Sequence, residues 1–420
     1  MTNLLNENYE KLMSAGRGDE SLPCGLAGGT AGLALLAISP SDDVVGLEEQ
    51  RRNFFALLQK SSQSFRRNFN PQAGLFSGLS GYMAVLSAGT VAGHVGNRQL
   101  SECEPLMREI LSHKIRMIRT IGWNQLFYSY DVVEGIAGDV LALRYISENH
   151  TLSDPLKAEI RAALQVILEG ISSRGSSGPK ALFLPEFYPS NSPWYRQQAP
   201  NGGYILGYAH GIPGLIAGAI AGMQLVGNSS SADIQPLFEC LDWFLEFQQE
   251  DGNWPNMVPL ETEDAEGSHK RSRLAWCYGS PGILPVLMHA QRELGYRNAS
   301  QAIARAISGI DSAEIGTAGD ISPTFCHGWT GIAEALGYVS SSRKDVHLEA
   351  KRSAYVSAIE KRLLSDRDTV YGVLDWETPS ALIPKLGLLE GASGVLGYQF
   401  ARRSNSTNSE FYKILNSYSL

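Results

Sequence analysis

Seven apolar stretches, each rich in alanine and leucine, recur along the 420-residue chain. None shows the strict alternation of apolar and polar positions that marks a half-buried strand, so each is predicted to be a helix buried on nearly every face. The stretches are LALLAIS, YMAVLSA, DVLALRYI, LIAGAIAGMQLV, ILPVLMHA, IAEALGYV and VLGYQFA. Charged stretches such as LEEQRRNFFALLQK lie between them and predict helices with one solvated face. The pattern indicates a repeated unit of one outer and one inner helix.

An eight-residue pattern ending in Gly-x-x-Gly directly precedes each apolar stretch. The seven copies, which we call octads, are GLAGGTAG (25–32), GLFSGLSG (74–81), DVVEGIAG (131–138), GYAHGIPG (207–214), AWCYGSPG (275–282), TFCHGWTG (324–331) and GLLEGASG (387–394). One copy of so short a pattern carries little information, but seven copies spread over the chain define an internal repeat.

Helix pairs repeated about seven times form either an open solenoid or a closed ring. The ring is favoured because inner helices that are apolar all round must be enclosed. The octad glycines would let helix ends approach closely around a narrow axis. We therefore predict an all-α fold, a single α/α toroid over residues 1–420. It should have about seven inner and seven outer helices, with every octad at the same end of its inner helix.

The longest gap between octads runs from the third to the fourth and ends in a segment rich in Ser, Pro, Gly and aromatic residues (172–203). We predict that residues 150–206 include an insertion or long loops near one mouth of the ring. Both a solvated connection and a substrate-binding flap are open interpretations of this segment. A shorter polar stretch at 261–273 is predicted to include a surface loop.

Composition excludes several classes of protein. Hydrophobic residues make up 43% and charged residues 19%, which is ordinary for a folded globular chain. The net charge is -8 and no dense basic run occurs, so no nucleic acid partner is expected. Five cysteines are too few for a disulfide framework, which favours the cytoplasm. The stretch 204–227 lacks charged side chains, but its glycines, proline and histidine disfavour a membrane span.

The fourth octad positions collect polar residue types. They are Gly28, Ser77, Glu134, His210, Tyr278, His327 and Glu390. A toroid brings all octads to one rim of the central cavity, so side chains at matching positions should converge there.

Two cysteines occupy the third positions of adjacent octads. Cys277 and Cys326 are 49 residues apart, and His327 follows directly. Two thiolates and an imidazole are a three-ligand zinc set with an open fourth position, which is typical of catalytic zinc. Buried structural cysteines are the alternative, but the matching repeat positions favour Zn²⁺. Core or surface positions are expected for the remaining cysteines, Cys24, Cys103 and Cys240.

His210 and Asp131 are the candidates for acid/base chemistry. His210 shares the rim with the predicted metal site, so a general acid/base is favoured over a packed core histidine. Asp131 begins the neighbouring third octad, where it would orient His210 and stabilise its charged form. Capping of the following helix is the alternative for Asp131.

Three further residues flank Cys277. Arg273 is predicted to stabilise an oxyanion or to brace the site, with a solvated charge as the alternative. Trp276 is expected to pack, and Tyr278 to donate a proton or a hydrogen bond into the cavity.

These motifs together resemble the lanthionine synthetase C family, the stand-alone cyclases of class I lantibiotic biosynthesis. The resemblance covers nearly the whole chain and rests on the octads together with YDVVEG (130–135), AHG (209–211), WCYG (276–279) and CHG (326–328). It implies an α/α toroid of seven inner and seven outer helices. QEDGNW (249–254) also resembles a motif of the wider toroid group, which includes terpene cyclases and protein prenyltransferases.

The resemblance also implies roles for site residues. It implies zinc held by Cys277, Cys326 and His327. It implies acid/base roles for His210 and Asp131, and supporting roles for two residues, Arg273 and Tyr278.

The implied activity is addition of a peptide cysteine thiol to dehydroalanine or dehydrobutyrine, which gives lanthionine or methyllanthionine rings. The implied partners are a dehydrated lantibiotic precursor peptide, a dehydratase and an ABC transporter in a membrane-associated complex. The implied location is the cytoplasm or the inner face of the cell membrane.

Two alternatives stay open beside the cyclase. One is a related zinc-thiol transferase that couples glutathione to dehydrated peptides or prenylates cysteine. A prenyl site should include an Asp ligand, and the Cys-Cys-His set argues against it. The other is a non-catalytic peptide-binding scaffold, which would be expected to lose some of the residues retained at the rim.

Overall fold

The structure, a computed structural model, describes residues 2–40, 44–123, 130–172, 178–190, 193–227, 231–260, 272–316, 322–365, 372–374, 382–406 and 408–416. The helices are α1 (Thr2–Gly18), α2 (Thr30–Ala37), α3 (Leu47–Arg67), α4 (Leu79–Val91), α5 (Arg98–Ile121), α6 (Ile136–Ser147), α7 (Asp154–Ile171), α8 (Trp194–Gln198), α9 (Ile212–Val226), α10 (Ser231–Leu245), α11 (Ser280–Leu294), α12 (Ala299–Ser312), α13 (Trp329–Arg343), α14 (Val346–Ser365), α15 (Ala392–Arg403) and α16 (Glu410–Asn416). Two short antiparallel pairs accompany them, β1 (Gly203–Ile205) with β2 (Met257–Pro259) and β3 (Gly372–Leu374) with β4 (Leu382–Pro384).

Seven inner helices form a closed ring. In order around the ring they are α2, α4, α6, α9, α11, α13 and α15, each packed against the next, and α15 packs against α2. Seven outer helices, α1, α3, α5, α7, α10, α12 and α14, pack on the outside of these. The predicted α/α toroid is therefore confirmed, including the number of helix pairs.

Each octad ends in the first turn of an inner helix. Its fifth residue, always glycine, is the N-cap of that helix. A Cβ on the eighth residue would overlap the carbonyl oxygen of the second residue in the same octad. On Gly331, for example, it would also lie 3.0 Å from Cβ of Trp276 in the preceding octad. Glycine is thus required both by the folded-back octad and by the close approach of neighbours.

A ring of backbone hydrogen bonds joins the seven octads. In six of the seven links, the third residue of one octad donates its N–H to the carbonyl of the third residue in a neighbouring octad. At the remaining link the donor is Val132, the second residue of its octad, at 3.1 Å from the carbonyl of Ala209. The last bond, from Leu389 to Ala27 at 3.1 Å, closes the circle.

The second octad positions form an apolar layer beneath this hydrogen-bonded ring. All seven side chains are at most 2% exposed: Leu26, Leu75, Val132, Tyr208, Trp276, Phe325 and Leu388. Phe76 extends from the second octad to Trp276 of the fifth, with ring centroids 6.2 Å apart. The middle of the toroid is therefore packed with aromatic side chains below the rim.

Helix α16 lies against inner helices and contributes to this central packing. It contacts α6 and α15, and Tyr145 of α6 donates a hydrogen bond of 2.8 Å to Glu410. Glu334 of α13, which is fully buried, accepts hydrogen bonds from Asn408 and Ser409 directly before the helix. The sequence analysis assigned no role to this segment.

A buried ion pair ties the outer helix α5 to the third octad. Nζ of Lys114 lies 2.6 Å from Oδ2 of Asp139, and both side chains are fully buried. The same ammonium group donates to the carbonyl of Glu134 at 2.7 Å, and Ser80 donates to the other oxygen of Asp139 at 2.6 Å. These bonds anchor the octad that carries Asp131.

The region 150–206 combines a toroid helix with an aromatic segment. Residues 154–171 are the outer helix α7. Beyond it lie a short 3-10 helix (Pro185–Phe187), α8 and β1. Three rings pack together there, with centroids 4.7 to 5.6 Å apart: Phe183, Tyr188 and Tyr195. Most of the loop predicted at 261–273 lies outside the described residues.

None of the helices in the described ranges combines the length and the apolar content of a membrane span. Much of the uncharged stretch 204–227 belongs to α9, which has 15 residues.

Candidate metal and acid/base site

The rim carries the fourth octad residues on its accessible side. The residue at the second position of each octad is buried. Among the seven fourth-position residues, by contrast, Gly28 and Ser77 are exposed, and four of the other five are half-buried. The octad backbone is folded back on itself, and in the first two octads the N–H of the fifth residue donates to the carbonyl of the first, at 3.1 Å from Gly29 to Gly25 and at 2.7 Å from Gly78 to Gly74. The fold therefore presents one side chain per repeat on a common rim.

Cys277, Cys326 and His327 form a compact cluster at the junction of the fifth and sixth octads. One ligand atom from each lies within 4.8 Å of the other two. Sγ of Cys277 is 3.1 Å from Nδ1 of His327. The two cysteines are 2% and 5% exposed, and the backbone N–H of Cys277 donates to the carbonyl of Cys326 at 3.4 Å. Adjacent positions in the hydrogen-bonded ring thus bring the two sulfur atoms together.

The charges of this cluster favour one thiolate and one imidazolium. Burial opposes ionisation of Cys277, but hydrogen bonds from Cys326 and His327 hold its pKa well below the usual range. Burial and the neighbouring Cys277 raise the pKa of Cys326 well above its usual value. Burial would lower the pKa of His327, yet the Cys277 thiolate raises it to about 9.

Glu390 supports the imidazole of His327 from the seventh octad. Its Oε1 lies 3.5 Å from Nε2 of His327, and its Oε2 accepts a hydrogen bond of 2.6 Å from Lys385. The hydrogen bond from His327 outweighs burial and, together with Lys385, lowers the pKa of Glu390 to about 2. The carboxylate therefore engages Nε2, while Nδ1 faces the sulfur of Cys277.

His210 and Asp131 form a hydrogen-bonded pair between the fourth and third octads. Nδ1 of His210 lies 2.6 Å from Oδ2 of Asp131. Asp131 is 1% exposed, whereas the His210 side chain is 29% exposed. The other oxygen, Oδ1, accepts the backbone N–H groups of Glu134 and Gly135 at 2.7 and 2.8 Å. Asp131 thus holds the backbone directly before α6 and contacts His210 at the same time.

Arg273 is half-buried next to the sulfur cluster. Burial raises the pKa of both cysteine thiols, and the guanidinium charge opposes it: at Cys277 it adds to the net lowering of the pKa, and at Cys326 it offsets only part of the net rise. Asn253 holds the backbone of this segment, because its amide donates to the carbonyl of Ser272 at 3.0 Å. The same side chain accepts the N–H of Ser280 at 2.7 Å, which ties the segment to the start of α11.

Tyr278 is 9% exposed and contacts the aromatic segment beyond α7. Burial, followed by the charge of Tyr195 and the hydrogen bond to it, raises the pKa of Tyr278 well above its usual value. The ring centroid of Tyr278 lies 6.3 Å from that of His210. Tyr278 therefore connects His210 with α8 through Tyr195.

The structure brings the predicted site residues together in two groups. One contains Cys277, Cys326 and His327 with Arg273 beside it, and the other contains His210 with Asp131. A backbone hydrogen bond joins the two groups. The N–H of Ala209, which directly precedes His210, donates to the carbonyl of Cys277 at 3.1 Å. The cysteines expected elsewhere, Cys24, Cys103 and Cys240, are free thiols outside the cluster.

Two contributing residues were missed. Glu390 had appeared only as a polar fourth-position residue, and its place in the octad next to His327 was the available signal. Tyr195 lies outside the repeat, and no pattern in the sequence connects it with Tyr278.

The donor set fits zinc. Structural and catalytic zinc ions take sulfur ligands at about 2.3 Å and nitrogen ligands at about 2.0 Å in tetrahedral arrangement. Three donor atoms within 4.8 Å of one another can surround one such ion. The carboxylate behind the histidine is the usual second partner of a metal-bound imidazole.

The chain belongs to the family described as Lanthionine synthetase C-like protein, whose pattern it matches over residues 20–416. A solved structure titled Nisin cyclase is similar to it, with a TM-score of 0.75 and 18% sequence identity. The match covers 98% of this chain and 96% of that chain. At this identity the likeness establishes the toroid fold.

Proposed function

We propose that this protein is a zinc-dependent lanthipeptide cyclase. Its substrate is a dehydrated lantibiotic precursor peptide, in which a cysteine thiol adds to dehydroalanine or dehydrobutyrine. The observation that carries the proposal is the convergence of Cys277, Cys326 and His327 on the rim that also holds the His210–Asp131 pair. Family membership is the supporting context.

The reaction forms one bond and moves one proton. The cysteine sulfur bonds to the β-carbon, the carbon–carbon π bond opens toward the α-carbon, and the resulting enolate accepts a proton there. Zinc held by Cys277, Cys326 and His327 would supply the positive charge that keeps the substrate thiol deprotonated. Atoms are conserved, so the product has the mass of the substrate.

His210 is the proposed proton carrier. Asp131 engages Nδ1, so Nε2 is the nitrogen that takes a proton from the incoming thiol and delivers one to the α-carbon. The buried carboxylate stabilises the imidazolium between these two events. Arg273 is proposed to stabilise the developing enolate oxygen, and Tyr278 to brace the adjoining wall.

We propose that the protein acts in the cytoplasm or at the inner membrane face, with a dehydratase that supplies the dehydrated peptide and an ABC transporter that exports the product. Co-purification of tagged forms of these proteins tests the association.

Thiol labelling tests the reaction. Incubation with a dehydrated precursor should lower its labelling by an alkylating reagent, with no change in mass before labelling. Matched controls are a reaction without enzyme, one with chelated zinc and one with the undehydrated peptide. If labelling equals the enzyme-free control for several correctly dehydrated peptides, the cyclase assignment fails. A mass gain of one glutathione in its presence would instead identify the transferase.

A further inference from the structure

Helix α16 contacts aromatic side chains of three octads, and one of them, Phe325, stands directly before a site residue in the chain. The ring of Phe411 lies 4.8 Å from that of Phe325 and 6.4 Å from that of Phe76, measured between centroids. The ring of Tyr412 lies 6.2 Å from that of Phe325. The carbonyl of Leu415 accepts a hydrogen bond of 2.6 Å from the hydroxyl of Tyr208.

Two residues of this aromatic cluster are each followed directly in the chain by a cysteine of the site. Phe325 precedes Cys326, and Trp276 precedes Cys277. Trp276 lies between rings that α16 contacts, with centroids 5.3 Å from Phe325 and 5.4 Å from Tyr208. One aromatic cluster therefore supports both backbone segments that present the sulfur atoms.

We propose that α16 positions the sulfur ligands of the metal site, with Phe411 as its main positioning residue. Octad backbones are folded back on themselves and are held to one another by single backbone hydrogen bonds. The side of the octad that faces the centre of the ring is held in place by the side chains that pack against its second-position residue. Phe411 fills that place under the sixth octad, so its removal lets Phe325 move and the Cys326 sulfur with it. The inference rests on the proposed zinc site.

The helix is also anchored independently of the aromatic cluster. Glu334 binds Asn408 and Ser409, and Tyr145 binds Glu410. Residues before and at the start of α16 are thus attached to α13 and α6, which keeps the helix in place when Phe411 is shortened. Substitution of Phe411 consequently tests the aromatic contact and not the attachment of the whole segment.

The test is the zinc affinity of the purified protein, measured in the absence of substrate peptide. The variants are Phe411→Ala and the milder Phe411→Leu. The matched control is Phe54→Ala, because Phe54 is also fully buried but lies in α3 against Gly89, near the opposite end of α4. Zinc dissociation constants come from competition with a chromophoric chelator. Cobalt substitution gives the sulfur-to-metal absorption bands, and thermal unfolding of the apo form gives stability.

We expect Phe411→Ala to weaken zinc binding about 10- to 100-fold, the range for residues that support metal ligands, and to alter the cobalt spectrum. The zinc affinity of Phe411→Leu should lie between those of the wild type and Phe411→Ala. Phe54→Ala should lower the unfolding temperature yet bind zinc and cobalt as the wild type does. The proposal is overturned if both Phe411 variants bind zinc normally, or if Phe54→Ala weakens binding equally.

Failure of this inference is distinguishable from failure of the cyclase proposal. A wild-type protein that binds no zinc overturns both. Normal zinc binding in every variant overturns the role of α16 alone. A third outcome is that the Phe411 variants bind zinc more weakly than the wild type, while the wild type forms no thioether. That result supports the role of α16 and refutes the cyclase proposal.

Discussion

The imidazole of His210 is joined to the carboxylate of Asp131 by a contact of 2.6 Å, although the residues are 79 positions apart. One carboxylate oxygen faces the imidazole while the other receives two N–H groups at the start of α6. The carboxylate is thus held by backbone N–H groups in addition to its contact with His210. The backbone at the start of α6, in the third repeat, holds the carboxylate that contacts the imidazole of the fourth repeat.

Substitution at this pair should reduce catalysis without loss of the metal. His210→Asn should lower the cyclisation rate by roughly 10²-fold or more, the usual scale for a general acid/base group. Asp131→Asn should lower it in the same direction, since an amide stabilises the imidazolium less than a carboxylate does. Rates are measured by thiol labelling, and zinc content by metal analysis.

The matched control is His347→Asn, at an exposed position of α14. It should cyclise peptide at the wild-type rate. A normal rate in His210→Asn would show that the acid/base role belongs to another group.

Removal of a metal ligand should remove the metal. Cys277→Ala, Cys326→Ala and His327→Ala should each lose most of the roughly one zinc per chain that the three-ligand set predicts. Cys240→Ala is the control, because Cys240 is equally buried but lies outside the cluster. Full zinc content in all three ligand variants would refute the assignment.

Glu390→Gln should weaken zinc binding without abolishing it. The amide still reaches Nε2 of His327, but it lacks the charge that favours an N–H there, so a loss of about 10- to 100-fold in affinity is expected. Glu349→Gln is the control, since Glu349 pairs with Arg352 on α14. An unchanged dissociation constant in Glu390→Gln would exclude this support.

Glu334 should make stability depend on pH. Burial raises its pKa to about 7, although hydrogen bonds from Ser409 and Asn408 oppose the shift. A carboxyl whose folded-state pKa is raised stabilises the fold fully below its unfolded pKa of about 4.5, and that contribution is lost as pH rises through about 7. Glu334→Gln, which imitates the protonated form, should remove this dependence.

The difference in unfolding free energy between Glu334→Gln and wild type measures the effect. It should grow in favour of the variant by about 2 kcal/mol between about pH 5.5 and 8.5, at about 1.36 kcal/mol per pKa unit. Urea titrations at these two pH values provide the data. A constant difference would mean that Glu334 titrates near its ordinary pKa.

Much of the fold could be predicted because each octad is a local structure. The fifth glycine as N-cap and the apolar run after it determine where an inner helix begins, and both are visible in sequence. The equal spacing of Cys277 and Cys326 within their octads placed them side by side, since repeats stack in register. The position of each cysteine in its octad was therefore enough to predict that the two sulfur atoms lie close together.

The contacts of α16 could not be predicted in the same way. Phe411 lies 86 positions from Phe325 and outside any octad, so periodicity gives no sign that their rings meet. The bond between Tyr195 and Tyr278 has the same character, because the aromatic segment has no counterpart in other repeats. Such contacts depend on the assembled ring, where segments distant in sequence become neighbours.

Closure of the hydrogen-bonded ring restricts how a protein of this kind can change. An open solenoid gains or loses a repeat at its ends. A circle of seven would have to alter its diameter, and it would break one of its bonds to gain a repeat and two to lose one. Repeat number is therefore fixed by geometry. Diversification must proceed by substitution at the fourth octad positions, where a new side chain reaches the common rim without any change in the backbone that presents it.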